Sequence, residues 1–119
     1  MIISKKVAIY YLPPILYMGI IFYLSSRPGS SLHLPEFSNI DKLLHFAEYL
    51  GLSFLCYRAL FADKRWQFKK ISGAVIAFVA LFAFFDELHQ YFVPGRDASA
   101  ADFSVDVLGV LVMSWFYKE

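Results

Sequence analysis

Four apolar stretches, each about as long as a bilayer is thick, occupy most of a chain of only 119 residues. Residues 7–24 carry no charge, and about 18 residues of helix at 1.5 Å per residue cover roughly 27 Å. Residues 41–62 are apolar but hold His45, Glu48 and Arg58. Residues 71–92 begin with a clean run and end in Asp86-Glu87-Leu88-His89-Gln90, and residues 98–116 contain Asp102 and Asp106. A soluble domain of this size has too much surface to hide a chain that is 59% hydrophobic and 19% aromatic. The pattern predicts an all-α, polytopic integral membrane protein. It has one domain over residues 1–119 and four transmembrane helices at about 7–24, 41–62, 71–92 and 98–116.

Two other classes drop out on simple counts. A net charge of +1 offers no field to attract nucleic acid. The single Cys56 excludes an intramolecular disulfide and a multi-cysteine metal site. Lys5 and Lys6 before the first span, with Ser25-Ser26 after it, imitate a secretion signal. The apolar run is longer than the usual 7–15 residues of such a signal, and no Ala-x-Ala site follows, so a retained span is expected. Within it, Pro13-Pro14 predicts a kink or a broken first turn. Pro94-Gly95 supplies a turn short enough to make the last two helices an antiparallel hairpin.

Orientation follows from the basic residues. With the N-terminus inside, Lys5, Lys6, Arg58, Lys64, Arg65, Lys69, Lys70 and Lys118 fall on the cytoplasmic side, 8 of the 11 in the chain. Only Arg27, Lys42 and Arg96 fall outside. Both termini are therefore expected in the cytoplasm. That topology puts Glu36, Asp41, Glu48, Asp86, Glu87, Asp97, Asp102 and Asp106, 8 of the 10 acids, in the outer half, with His33, His45 and His89. Insertion rules account for the basic residues but not for the acids, which contribute little to orientation.

Helical spacing gathers these acids. Asp41, His45 and Glu48 share one face, Asp86 shares another with His89 and Gln90, and Asp102 lies one turn from Asp106. A charge at the bilayer centre costs roughly 2.5–3.5 kcal/mol on insertion scales, and less nearer the interface. Such groups should face one another across the helices, as an acidic pocket in the outer leaflet. Some polar residues have ordinary roles available. Asp41, Asp97 and Ser99 suit helix caps, Asp102 a first-turn acid, Arg58 and Lys42 snorkelling cations, and Cys56 a packing residue. Glu48, Asp86, Glu87, His89 and Asp106 lie too deep for capping.

The residue types fit several chemistries. His45-x-x-Glu48 and Asp86-x-x-His89 each present an imidazole and a carboxylate on one face, as helical-bundle metal sites do. A buried carboxylate beside a histidine can also exchange protons as a general acid or base. Intramembrane acids and histidines build proton relays as well, and the same groups can simply bond helices together. Arg27 and Arg96 suit bidentate contact with a phosphate. No GxSxG, Walker or Rossmann fingerprint occurs.

Several blocks together resemble the VanZ-like family over nearly the whole chain. They are Tyr23-Leu24-Ser25-Ser26-Arg27-Pro28, Asp41-Lys42-Leu43-Leu44-His45-Phe46-Ala47-Glu48-Tyr49, and Asp86-Glu87-Leu88-His89-Gln90-Tyr91-Phe92-Val93-Pro94-Gly95-Arg96, followed by Asp102, Asp106 and Gly109. The resemblance implies a bacterial cytoplasmic-membrane protein with a role in the cell envelope, and its founding member is associated with reduced susceptibility to the glycopeptide teicoplanin. It implies no particular reaction, cofactor or metal.

The combined expectation is a pocket that binds or acts on a lipid-linked envelope component or a glycopeptide. Glu48, Asp86, Glu87 and His89 would be its acid, base or ligand groups, with His45 and Gln90 orienting them. Arg27, Lys42 and Arg96 would contact an anionic head group, and Asp102 and Asp106 would complete the acidic wall. A non-enzymatic interaction protein and a small proton-coupled transporter remain as alternatives.

Overall fold

A computed structural model describes residues 5–26, 38–62, 67–93 and 100–118. These form four helices, α1 (Lys5–Ser26), α2 (Ser38–Phe61), α3 (Phe68–Tyr91) and α4 (Ala100–Lys118). Every expected helix is present, with ends one to three residues from those read off the hydropathy. Three are long and apolar enough to cross a membrane, Val7–Ser26, Phe68–Tyr91 and Ala100–Lys118. Helix α2 matches them in length, with 24 residues, but Asp41, Lys42, Glu48 and Arg58 reduce its apolar character.

Packing explains how a helix of that composition is accommodated. Helix α2 touches all three others, as α3 does, whereas α1 and α4 lie on opposite flanks without touching among the described residues. Charged groups on α2 thus have protein on several sides. The flanks are the reverse of a soluble surface: Ile15, Leu16 and Ile20 on α1 are 61%, 57% and 57% exposed, and Trp115 and Phe116 on α4 are exposed as well. In water so much exposed apolar surface would drive association; in lipid it is ordinary solvent contact.

Contacts between helices fix their directions. Residues early and late in α2 meet residues early and late in α4, through His45–Asp106 and the hydrogen bond from Tyr57 to Ser114, so the two run parallel. Arg58 near the end of α2 meets Ile9 near the start of α1, so those two are antiparallel. The terminal turn of α1 meets that of α3 through Ser25 and Gln90. The helices therefore alternate up and down, and the hairpin expected of α3 and α4 is the arrangement found.

Pro13 and Pro14 do not break α1, which is helical from Lys5 to Ser26. A proline removes the N–H that should bond the carbonyl four residues back, and for Pro13 that carbonyl belongs to Ile9. Arg58 replaces the missing donor: its Nη1 donates to the Ile9 oxygen at 2.9 Å, and its guanidinium sits 4.7 Å from the centre of the Tyr10 ring. The expected broken turn is avoided because α2 supplies the hydrogen bond. Arg58 is engaged with α1 in place of simple snorkelling.

The apolar core runs along the bundle through Ile21, Leu52, Cys56, Val75, Val79 and Val110. Cys56 is a buried packing residue, as its surroundings in the sequence indicated. Tyr57, Phe61, Phe68 and Tyr117 stack at one end, with the Tyr57 and Tyr117 rings 4.8 Å apart. Two glycines allow the helices to close. A Cβ on Gly109 would lie 3.1 Å from the Leu50 nitrogen and 3.1 Å from the Phe46 oxygen, so its absence lets α4 press against the α2 backbone. A Cβ on Gly51 would meet the Tyr17 hydroxyl of α1 at 2.5 Å.

Candidate functional site

At the end opposite the aromatic stack, the interior turns polar. Counting 1.5 Å per residue, Asp86 lies about 7 Å from the end of α3, Asp106 about 9 Å from the start of α4, and His45 about 10 Å from the start of α2. The up–down arrangement brings those three levels together. Asp106 is 0% exposed, Asp86 1% and His45 4%.

The centre of the site joins α2 to α4. His45 Nδ1 is 3.0 Å from Asp106 Oδ1, and with a charged carboxylate the ring nitrogen is the donor. Gly109 sits one turn beyond Asp106, and the close approach it permits is what puts the carboxylate beside His45. Helix α3 adds Glu87, so that one ligand atom from each of His45, Glu87 and Asp106 lies within 4.8 Å of the others. Next to them, Tyr49 donates from its hydroxyl to Asp86 Oδ2 at 3.0 Å. Asp86 Oδ1 and Asp106 Oδ2 are buried and accept no hydrogen bond within the described residues. Carboxylate oxygens without donors are expensive in a dry interior unless a proton or a cation meets them.

The rim is built from α1 and from the first turn of α4. Gln90 Nε2 donates to Ser25 Oγ at 3.1 Å. His89 Nε2 is 2.8 Å from Ser26 Oγ, and its ring stacks on Phe22 with centroids 4.4 Å apart. Lys42 reaches Asp102 with Nζ 3.6 Å from Oδ1, an ion pair with Lys42 partly exposed and Asp102 buried. Asp102 stands in the first turn of α4, where a carboxylate faces the positive end of the helix dipole, as the sequence suggested.

The expected residues separate into groups on this geometry. His45, Asp86, Glu87 and Asp106 come together in the interior, while Gln90, His89, Lys42 and Asp102 line the periphery. Glu48 is half-buried and within electrostatic reach of Tyr17 and Tyr49. The third member of the group with His45 and Asp106 is Glu87, not Glu48. Arg27, His33, Glu36, Arg96, Asp97 and Ser99 lie outside the described residues, as does the side chain of Asp41.

Sequence reasoning overlooked Tyr49, Ser25 and Ser26 as members of the site. The signal for Tyr49 was present, since it stands four residues after His45 and so on the same helical face. The two serines gave no such sign. Their role depends on the terminal turn of α1 lying beside that of α3, which no local pattern reveals.

A family model described as VanZ/LLP1 matches residues 9–118. No curated protein and no solved structure gives a match.

Proposed function

The chain belongs to the VanZ/LLP1 family, and on that premise we propose that it binds, or acts on, the anionic head group of a lipid-linked envelope component. In this reading it is a four-span protein of the bacterial cytoplasmic membrane, with both termini inside and the polar end of the bundle in the outer leaflet. The observation that carries the reading is the meeting of His45, Asp86, Glu87 and Asp106 from three helices, buried, in a bundle whose flanks are fitted to lipid. Hydrogen-bonding glue between membrane helices ordinarily uses neutral side chains. Three carboxylates and an imidazole at one level instead mark a place where charge or protons are handled.

The parts have separate tasks. Lys42 stands at the rim, and Arg27 follows directly on Ser26 at the polar end of α1; with Arg96 between α3 and α4, these cations would hold a phosphate. His45 and Asp106 form a pair able to pass a proton, and Asp86, held by Tyr49, adds a second acceptor. His89 and Gln90 tie the site to α1. A head group engaged here would belong to the precursors that glycopeptides recognise, which connects the site to teicoplanin susceptibility.

The test is the susceptibility to teicoplanin of cells producing the protein, alongside Asp86→Asn and His89→Gln at matched abundance. These variants preserve shape and hydrogen bonding but remove the ionisable group. Reduced susceptibility with the parent chain and its loss with the variants are expected. Reduced susceptibility retained by both variants would overturn the acid–base reading and leave a non-enzymatic interaction protein held together by its polar network. Unchanged susceptibility with the parent chain would remove the glycopeptide connection.

A further inference from the structure

We infer that His45, Glu87 and Asp106 form a binding site for one divalent transition cation of the zinc or manganese class, inside the membrane. One ligand atom from each residue lies within 4.8 Å of the others, and each comes from a different helix. Ligands held tetrahedrally at 2.0–2.1 Å from zinc are about 3.3 Å apart. His45 Nδ1 and Asp106 Oδ1, at 3.0 Å, are already near that separation. Small rotations of the Glu87 side chain would close the third side.

A second, independent observation points the same way. Asp106 Oδ2 and Asp86 Oδ1 belong to side chains 0% and 1% exposed, and neither accepts a hydrogen bond within the described residues. An oxygen buried this deeply needs a proton or a cation. A doubly charged ion would neutralise Glu87 and Asp106 together and remove much of the cost of placing two carboxylates in a lipid-bounded interior. Asp86 would remain beside the ion as the acceptor for Tyr49.

The donor set narrows the metal. One imidazole with two carboxylates is too soft for a calcium cage and has too few oxygens for magnesium, but it suits Zn²⁺ or Mn²⁺. Three protein ligands leave a fourth position open, as in catalytic rather than structural zinc sites. A phosphate oxygen of the head group proposed above would fit that position. The inference deepens that reading, and it is tested without lipid so that either can fail alone.

The experiment uses the full-length chain in detergent, stripped with a chelator and dialysed, then titrated with ZnCl₂ and separately with MnCl₂. Thermal unfolding and bound metal are followed in parallel. The expected result is one ion bound per chain and a higher thermal midpoint, with Glu87→Gln and Asp106→Asn binding at least about tenfold more weakly. The titration of the parent chain carries the test even if a variant folds poorly. No bound ion and an unmoved midpoint with both metals would overturn the inference. Binding that survives both substitutions would overturn the assigned ligands.

Discussion

His45 Nδ1 and Asp106 Oδ1 stand 3.0 Å apart, joining the parallel helices α2 and α4 at the buried centre of the polar end. One turn beyond Asp106, Gly109 lets the α4 backbone approach that of α2, where a Cβ would lie 3.1 Å from the Leu50 nitrogen and the Phe46 oxygen. Gly109→Ala should force the helices apart or distort them, at a cost of about 1–3 kcal/mol, and pull Asp106 away from His45. Gly73, whose Cβ would meet nothing within 4 Å, provides the control. Gly73→Ala should be neutral or stabilise by up to about 1 kcal/mol. Thermal unfolding of both variants in detergent checks the contrast, and equal behaviour would contradict it.

Arg58 and Pro13 should be energetically coupled. Arg58→Leu removes the donor to the Ile9 carbonyl and is expected to cost about 1.5–3 kcal/mol, the range for a hydrogen bond to a charged group. Pro13→Ala restores the helical N–H, so Arg58→Leu should cost less in that background. A double-mutant cycle on thermal stability measures the difference, and strict additivity would mean that Arg58 acts only through its other contacts.

Tyr49 and Asp86 give a prediction inside the site. Tyr49→Phe leaves a buried carboxylate with fewer donors and should destabilise by about 1–3 kcal/mol. Asp86→Asn still accepts from Tyr49, so its stability should stay closer to that of the parent chain. The same comparison at the far end, Ser114→Ala, should lower stability without altering ligand binding, because its bond to Tyr57 lies outside the polar site.

These contrasts also mark how far the sequence could be read. Hydropathy and helical length located all four helices, three of them long and apolar enough to cross a membrane, because a helix of that kind satisfies its own backbone and carries a long apolar signature. Depth within the helices singled out Glu48, Asp86, Glu87, His89 and Asp106, because in-span ionisable residues have few places to go. Of these, Asp86, Glu87 and Asp106 meet in the interior, beside His45, which the sequence casts as an orienting residue. Partner choice was less legible. Glu48 shares a face with His45 in a helical projection, yet Glu87 of α3 is the acid grouped with it, since that depends on how the helices are rotated against one another. The role of Arg58 was hidden for a related reason. A proline announces the gap it makes in its own helix, and nothing local announces the neighbour that fills it.

Topology is open to direct measurement, because Cys56 is the chain's single cysteine. In a Cys56→Ala background, a cysteine replacing Ser31 should react in intact cells with a maleimide that cannot cross the membrane. One replacing Gln67, exposed at the other end of the bundle, should react only after lysis. The reverse pattern would turn the polar end inward and contradict an outer-leaflet site.

The central claim is that the buried polar group holds a ligand. Native mass spectrometry of protein extracted gently from membranes tests it most directly, with the parent chain, Asp86→Asn and Asp106→Asn compared at equal thermal stability. The account predicts a discrete added mass on the parent chain: an anionic lipid is lost from both variants, and an ion is lost from Asp106→Asn but kept by Asp86→Asn. Identical spectra, differing only by the substitutions, would contradict it and leave His45, Asp86, Glu87 and Asp106 as the fastening of three helices.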